Sequence, residues 1–186
     1  MLHNSLSHVQ LIPTSLGKVY VWQLLSYMED CKTSGKRNVE RSEVSGLLTS
    51  LGYGSQALDY LPSGQPVLVD SQEHISISHS DGWFAVYIAN DPVGVDIQVP
   101  RARIGQGKHY FLNEKERHLD DLELLHLIWG AKEALYKKYG GEMNDLRDEV
   151  TFQSVETSSK SVQLEYAGSI ETLRYRNATN CLLVWT

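Results

Sequence analysis

The sequence predicts an α+β protein in which each half combines a long helix with a small antiparallel sheet. Apolar residues recur at helical spacing in segments 37–51 and 127–139, which predicts the two helices. Short alternating strands stand before, between and after these segments. With 186 residues, of which 41% are apolar, the chain can bury an ordinary core as one compact domain or two small halves.

The first half begins with about a dozen residues without a clear pattern. Residues 19–24 then predict a strand, and residues 25–31 predict a short helix followed by a loop at 32–36. The helix at 37–51 stops at Gly52. Three further strands, joined by polar turns, are expected to form an antiparallel meander; they cover residues 75–78, 83–89 and 93–98.

The second half is dominated by the helix at 127–139, where alanine, leucine, lysine and glutamate are frequent and proline is absent. The pair Gly140-Gly141 is expected to end it. Its broad apolar face holds Leu125, Ile128, Trp129, Leu135, Tyr136 and Tyr139. Lys132 occupies the middle of this face, so its ammonium must reach past the core edge or meet an anion there. Four further strands follow at residues 150–152, 162–166, 170–175 and 182–185.

Charge and composition exclude several classes of protein. The net charge of −6 argues against a general nucleic-acid binder. The two cysteines, Cys31 and Cys181, lack metal-site spacing and favour a reducing cytosol. No apolar run approaches the ~20 residues of a membrane span, and no basic segment precedes an apolar run as in a signal peptide. We therefore expect a cytoplasmic protein that binds neither nucleic acid nor membrane, and we also expect it to be a monomer.

Candidate chemistry begins on the strand at 93–98, where apolar residues alternate with polar ones. Asp96 and Gln98 project together from its polar face, and Gly94 would leave room there for a ligand. If the long helix packs across the sheet, Asp96 and Glu133 can share one hard cation. The alternative for Glu133 is a solvent-exposed i,i+4 ion pair with Lys137, worth roughly 0.2–0.5 kcal/mol.

Four motifs together resemble those of a known family. The segment GVD at 94–96, followed by WGAKEALYK at 129–137, resembles the paired signature of the 4′-phosphopantetheinyl transferase superfamily. That signature has the form (V/I)G(V/I)D, then a spacer of a few tens of residues, then WxxKE(A/S)xxK. The segment SHS at 78–80 resembles the superfamily's Ser-His-Ser element, and FLNEKE at 111–116 resembles its FxxxE element. The resemblance covers roughly residues 65–140.

The resemblance implies the surfactin-type arrangement, in which two similar halves of one chain form a pseudodimer around the active site. Here the halves would be residues 1–98 and 99–186. It also implies holo-[acyl-carrier-protein] synthase activity, in which Mg²⁺ assists transfer of 4′-phosphopantetheine from coenzyme A to a serine of an acyl or peptidyl carrier protein. The other product is 3′,5′-ADP.

The resemblance implies a role for each residue near the reacting groups. Asp96 and Glu133 would ligate Mg²⁺, with Gln98 at the position where many members carry a third acid. Lys137 would stabilise phosphate charge. Glu116 of the FxxxE element would deprotonate the attacking serine, directly or through water.

Coenzyme A would be bound mainly by residues outside the long helix. The family pattern implies that Ser78, His79 and Arg37 line its phosphates, while Lys132 would neutralise an anion. This sequence departs from the pattern at Gln65 and Ser45, as at Gln98, where members commonly carry charged residues.

Three alternatives stay open. A non-catalytic relative that binds coenzyme A or a carrier protein would fit the departures, whereas a metal-dependent nucleotide hydrolase would fit two acids and a histidine. The basic residues of segments 101–103 and 108–109 suit either an acidic carrier-protein helix or a solvated connector.

Overall fold

The computed structural model describes residues 8–140, 142–178 and 180–186. The helices are α1 (Tyr27–Ser34), α2 (Lys36–Ser50), α3 (Leu122–Tyr139) and the short α4 (Leu146–Glu149), with a 3-10 helix at Ile104–Tyr110. The strands are β1 (Gln10–Pro13), β2 (Gly17–Gln23), β3 (Leu58–Tyr60), β4 (Pro66–Leu68), β5 (His74–Ser80), β6 (Trp83–Ala89), β7 (Val95–Gln98), β8 (Val150–Glu156), β9 (Ser161–Tyr166), β10 (Ser169–Ala178) and β11 (Cys181–Trp185).

These strands form antiparallel sheets, which confirms the predicted mixture of helices and antiparallel sheets. One sheet has four strands in the order β1-β2-β6-β5, and another has five in the order β7-β11-β10-β9-β8. The hairpin β3-β4 stands apart as a two-stranded sheet. The four strands predicted after the long helix correspond to β8–β11.

The predicted meander is wrong for its third strand. β5 and β6 pair as a hairpin, but β7 leaves them and pairs with β11 of the five-stranded sheet. Serine side chains connect β5 to β7 instead of a backbone ladder: the hydroxyls of Ser76, Ser78 and Ser80 accept the backbone N–H groups of Val95, Ile97 and Val99 at 3.0–3.1 Å. The edge of one sheet is thus joined to the edge of the other.

Both long helices cover a sheet. Residues of α2 pack with Trp22 and Phe84 of the four-stranded sheet. α3 packs across the five-stranded sheet against residues such as Leu164 and Val184. A further cluster lies between the two sheets and brings Tyr87 of β6 into the same core as the β7 strand.

The helix ends follow from local chemistry. The Asp121 side chain accepts the Leu124 N–H at 2.8 Å and caps α3, and Gly140 in a left-handed conformation (φ +50°) ends it as predicted. Gly141, predicted to share that role, lies outside the described residues. The predicted loop at 32–36 is shorter than expected, since Gly35 (φ +80°) alone separates α1 from α2.

Gly94 serves close packing and not ligand access. A Cβ atom built there would overlap the backbone carbonyl of Ala134 and approach the Lys138 nitrogen at 2.9 Å. The expectation that Gly94 leaves room for a ligand is therefore wrong, because helix α3 fills that space. Among the helices of the described ranges, none has the length and apolar character needed to cross a bilayer.

Candidate active site

A cleft of about 460 Å³ opens where the β5 and β7 edges meet helix α3. It contains most of the polar residues that the sequence singled out. Its lining includes Ser78, His79, Asp96, Gln98, Trp129 and Glu133. The two carboxylates of this set come from different elements, Asp96 from a sheet strand and Glu133 from the helix packed across it.

Asp96 is held in place through one of its two carboxylate oxygens. Its Oδ1 accepts the Ser78 hydroxyl at 2.8 Å and the Lys137 ammonium at 2.8 Å. Lys137 also donates to the Val95 carbonyl at 3.0 Å. The side chain of Asp96 is 9% exposed and lines the cleft, whereas that of Lys137 is 25% exposed and lines a neighbouring cavity. Ser78 therefore orients Asp96 and also receives the Ile97 N–H.

Glu133 has an environment unfavourable to its charge. Among the described residues it has no hydrogen-bond or ion-pair partner. Burial raises the pKa of Glu133, Lys137 opposes that rise, and the negative charge of Asp96 adds to it. A half-buried carboxylate beside a second carboxylate would be stabilised by a cation.

Asp96 and Glu133 are the two residues of the cleft that could each contribute a carboxylate to a divalent metal ion. Within the described ranges, no group of three or more histidine, cysteine, aspartate or glutamate side chains is arranged to hold a metal. Mg²⁺ usually takes one or two carboxylates and completes its coordination with substrate phosphates and water. Asp96 and Glu133 supply that donor set.

Gln98 is committed to a neighbouring histidine. Its amide nitrogen donates to the His126 backbone carbonyl at 2.9 Å, and its amide oxygen lies 2.7 Å from His126 Nδ1. His126 Nε2 accepts the backbone N–H of Arg101 at 2.9 Å and lies 3.1 Å from the Arg101 carbonyl, and its Nδ1 can donate to the Gln98 amide oxygen. Gly130 makes room for this arrangement, since a Cβ there would lie 2.5 Å from the Gln98 amide nitrogen. The structure thus turns Gln98 toward His126, although it was expected at the metal.

Lys132 and Glu116 lie outside the cleft and pair with each other. Lys132 is fully buried, and its ammonium donates to Glu116 Oε2 at 2.7 Å and to the Phe111 carbonyl at 2.8 Å. Glu116, 3% exposed, also accepts the backbone N–H groups of Asn113, at 2.9 Å, and Phe152. The anion required by Lys132 is therefore internal. Neither side chain is placed to touch a substrate in the cleft.

His79 lies at the boundary between the main cleft and a second cavity of about 250 Å³. That cavity is bounded by Lys137, Tyr60 and Gln65 among others. His79 Nδ1 lies 3.1 Å from a carboxylate oxygen of Glu40 on α2. No sequence pattern predicts this partner, which is distant along the chain.

The predicted arginine sits on the exposed side of α2. Arg37 is solvent-exposed at the start of the helix, outside both cavities. Arg41, one turn later on the same face, lies 6.0 Å above the ring of Tyr60, which lines the second cavity. Arg41 was missed, although its spacing of four from Arg37 could have identified it.

The basic segment beyond β7 is partly neutralised within the chain. Arg101 and Arg103 border the main cleft, and Arg101 pairs with Asp81 at 3.0 Å. Lys108 pairs with Asp120 and also donates to two backbone carbonyls. Arg103 is exposed at the cleft rim.

Comparison with known proteins supports the inference from the geometry. Residues 92–180 match the family model described as the 4′-phosphopantetheinyl transferase superfamily. This region, a little under half of the chain, includes Asp96, Glu133 and Lys137, whereas Ser78 and His79 precede it. The match supports a phosphopantetheine transferase in general, with coenzyme A as the substrate that the family uses. No curated protein matches the chain.

Proposed function

We propose that this protein transfers 4′-phosphopantetheine from coenzyme A to a serine of an acyl or peptidyl carrier protein, with Mg²⁺ bound and 3′,5′-ADP released. The observation that carries the proposal is the convergence of Asp96 and Glu133 on one cleft. Lys137 lies beside both carboxylates: it is bonded to Asp96 and lowers the pKa of Glu133. The superfamily match spans all three residues.

In this proposal Asp96 and Glu133 hold the metal, which when bound neutralises negative charge on the pyrophosphate of coenzyme A. Lys137 is held at a fixed position by Asp96 and the Val95 carbonyl, so its ammonium can meet a phosphate oxygen with little reorganisation. Ser78 contributes by orienting Asp96.

The substrate's remaining phosphates would lie toward helix α2. Arg37 and Arg41 project from one face of that helix, and Arg41 approaches Tyr60 at the second cavity. We propose that these two cations hold the nucleotide phosphates. Exposed Arg103 at the cleft rim is then suited to an acidic surface of the carrier protein.

Two residues receive a different role from the one that the family pattern suggested. We propose that Lys132 and Glu116 stabilise the fold, because both are buried and each satisfies the other's charge. Their pair ties the FxxxE segment and strand β8 to the back of helix α3. Helix α3 is thereby held in place on the side opposite the cleft, and Glu133 lies on the side that lines the cleft.

The competing function is binding of coenzyme A or a carrier protein without transfer. The neutral Gln98, held by His126 where many members carry a third acid, favours this alternative. The remaining carboxylates favour catalysis, because Asp96 and Glu133 are both at the cleft.

The test is the intact mass of an apo carrier protein after incubation with this protein, coenzyme A and Mg²⁺. We expect a gain of one phosphopantetheine with the wild type and its loss with Glu133→Gln. Glu123→Gln is the matched control, since Glu123 is exposed in the first turn of the same helix. Coenzyme A binding without any mass gain, across several carrier proteins, would establish the non-catalytic alternative. Cleavage of coenzyme A without a carrier protein would establish a hydrolase.

A further inference from the structure

A buried histidine near the start of helix α3 links the end of strand β7 to the segment that follows it. His126 is 7% exposed. Its Nδ1 lies 2.7 Å from the Gln98 amide oxygen, and the Gln98 amide nitrogen donates to the His126 carbonyl at 2.9 Å. Its Nε2 accepts the backbone N–H of Arg101 at 2.9 Å. The ring therefore holds the backbone of Arg101, while Gln98 holds the ring.

The segment 100–103, called the rim segment below, is exposed and lies between β7 and the 3-10 helix. A backbone bond from the Ile104 N–H to the Arg101 carbonyl, at 3.2 Å, closes a turn within it. The Arg101 side chain pairs with Asp81, but these partners are 68% and 53% exposed, and ion pairs this exposed hold a loop only weakly. The bond to His126 is thus the buried anchor of the rim segment.

The rim segment carries two positive charges to the edge of the cleft. Arg101 and Arg103 are both exposed, and both line the cleft that holds Asp96 and Glu133. In a chain of net charge −6, this pair is a local basic feature that complements an acidic surface. Charges at the rim of an interface guide the approach of a partner and fix its orientation. Under the proposed function, the partner that must reach this cleft is the carrier protein.

On the basis of the proposed function, we propose that His126 is a positioning residue for recognition of the carrier protein. Its ring fixes the backbone of Arg101, so that Arg101 and Arg103 present their charges to an acidic surface of the carrier protein. Gln98 acts one step further back, because its amide orients the ring. Residue 98 thereby serves partner binding, although it was expected at the metal.

The kinetic test compares two amide replacements of the ring. His126→Gln is long enough to place its amide near the Nε2 position and keep a bond to Arg101, whereas His126→Asn is one methylene shorter and reaches only toward Gln98. We expect His126→Asn to raise the KM for the apo carrier protein about tenfold, and His126→Gln to raise it less than about threefold. In both variants kcat and the Kd for coenzyme A should change less than about threefold, because the two carboxylates of the cleft are untouched. A loss of coenzyme A affinity equal to the rise in KM would overturn the inference.

The salt dependence of the carrier-protein KM tests whether His126 acts through charge. The wild-type KM should rise with NaCl concentration because salt screens the arginines, and His126→Asn should flatten that rise. Arg103→Gln should act in the same direction, and combining it with His126→Asn should add little to the larger single effect. His118→Asn is the matched control, since His118 is exposed and outside the cleft lining. Fully multiplicative effects of the two changes would overturn the inference, because they would mean that His126 does not act through the rim segment.

A second measurement needs neither transfer nor a variant. Amide hydrogen exchange followed by NMR reports whether the Arg101 N–H is bonded. In the wild type we expect it to exchange at least tenfold more slowly, relative to intrinsic rates, than the amides of Ala102 and Arg103, which have no partner among the described residues. This protection should disappear in His126→Asn. An Arg101 amide that exchanges as fast as those of its neighbours would overturn the inference.

The outcomes also separate this inference from the proposed function. If the wild type transfers phosphopantetheine and a folded His126→Asn variant keeps the wild-type KM for the carrier protein, the inference alone is overturned. If the wild type binds coenzyme A but modifies no carrier protein, both are overturned.

Discussion

Helix α3 carries two lysine–carboxylate pairs that differ in their surroundings. Lys132 and Glu116 are 0% and 3% exposed, and their ammonium and carboxylate meet at 2.7 Å inside the protein. Lys137 and Asp96 meet at 2.8 Å, but Lys137 is 25% exposed and borders the second cavity. The lysines are five residues apart on one helix, yet only one of them can meet a ligand.

The burial of the two pairs indicates which lysine of the motif stabilises the fold and which is available to a ligand. A buried pair has lost its hydration, so each partner depends on the other, and removing one leaves a charge without compensation. A pair at a cleft retains some water and can exchange part of its interaction for a substrate phosphate. The motif WGAKEALYK therefore combines a fully buried ammonium with one that is partly exposed and accessible to a ligand.

The largest expected effect is on stability, from Lys132→Met. This change leaves Glu116 charged and buried, and should reduce the free energy of unfolding by about 3–5 kcal/mol. Urea unfolding measures it. The double variant Lys132→Met, Glu116→Gln should recover part of the loss, because the uncompensated charge is gone while an amide oxygen can still accept a backbone N–H. Equal losses in the single and double variants would show that the ion pair itself is not what stabilises this region.

The converse change, Lys137→Met, should affect activity more than stability. We expect transfer to fall by about 100-fold, the scale typical for removal of one preorganised donor to a developing charge, with a smaller loss of stability than in Lys132→Met because the Lys137 ammonium is partly exposed. Lys138→Met is the matched control, because Lys138 is the next residue and pairs with Glu171 away from the cleft. A variant that unfolds as readily as Lys132→Met would remove the distinction between the two pairs.

Local patterns of the sequence predicted the elements better than their partners. The helical period and Gly140 located helix α3, and alternation located β6 and β7 to within two residues. The partner of β7 was not predictable, because periodicity fixes which face of a strand is buried but not which edge it joins. Here β7 lies beside β5 without backbone pairing, because serine hydroxyls of β5 accept the N–H groups that a neighbouring strand would otherwise bind.

The same limit applies to the site. Strand alternation and helix phase placed Asp96 and Glu133 where they can meet, and both line one cleft; their roles stay predictions. The internal anion for Lys132 was one of two stated possibilities, but the cost of burial alone could not select Glu116. Glu40 and His126 had no sequence signal at all, since each acts through a partner brought near by tertiary packing.

Glu133 provides a smaller effect that separates function from stability at the cleft. Burial and Asp96 raise its pKa above the ordinary 4.5, so its carboxylate is disfavoured in the folded protein. Its contribution to stability is then fully present below pH 4.5 and is lost as pH rises through the raised value. Without Mg²⁺ at pH 7, Glu133→Gln should therefore have a higher melting temperature than the wild type and a free energy of unfolding about 0.5–2 kcal/mol larger. This difference in stability should become smaller below pH 4.5.

The control for Glu133 is the metal itself. Mg²⁺ should raise the melting temperature of the wild type at pH 7 but not that of Glu133→Gln, because a ligand that binds only the folded state stabilises it. The proposed environment of Glu133 requires the stability difference between the wild type and Glu133→Gln to be smaller at pH 4 than at pH 7. The same difference at both pH values would contradict it.

The smallest effect is expected from Gln98→Glu, which introduces the acid that the family resemblance implies at this position. The new carboxylate can still accept the His126 Nδ1–H, but it loses the donor to the His126 carbonyl and should cost about 1 kcal/mol of stability. Because the contact with His126 Nδ1 still holds the side chain of residue 98 toward His126, the Mg²⁺ concentration for half-maximal activity should change less than about threefold. A tenfold decrease would place residue 98 among the metal ligands.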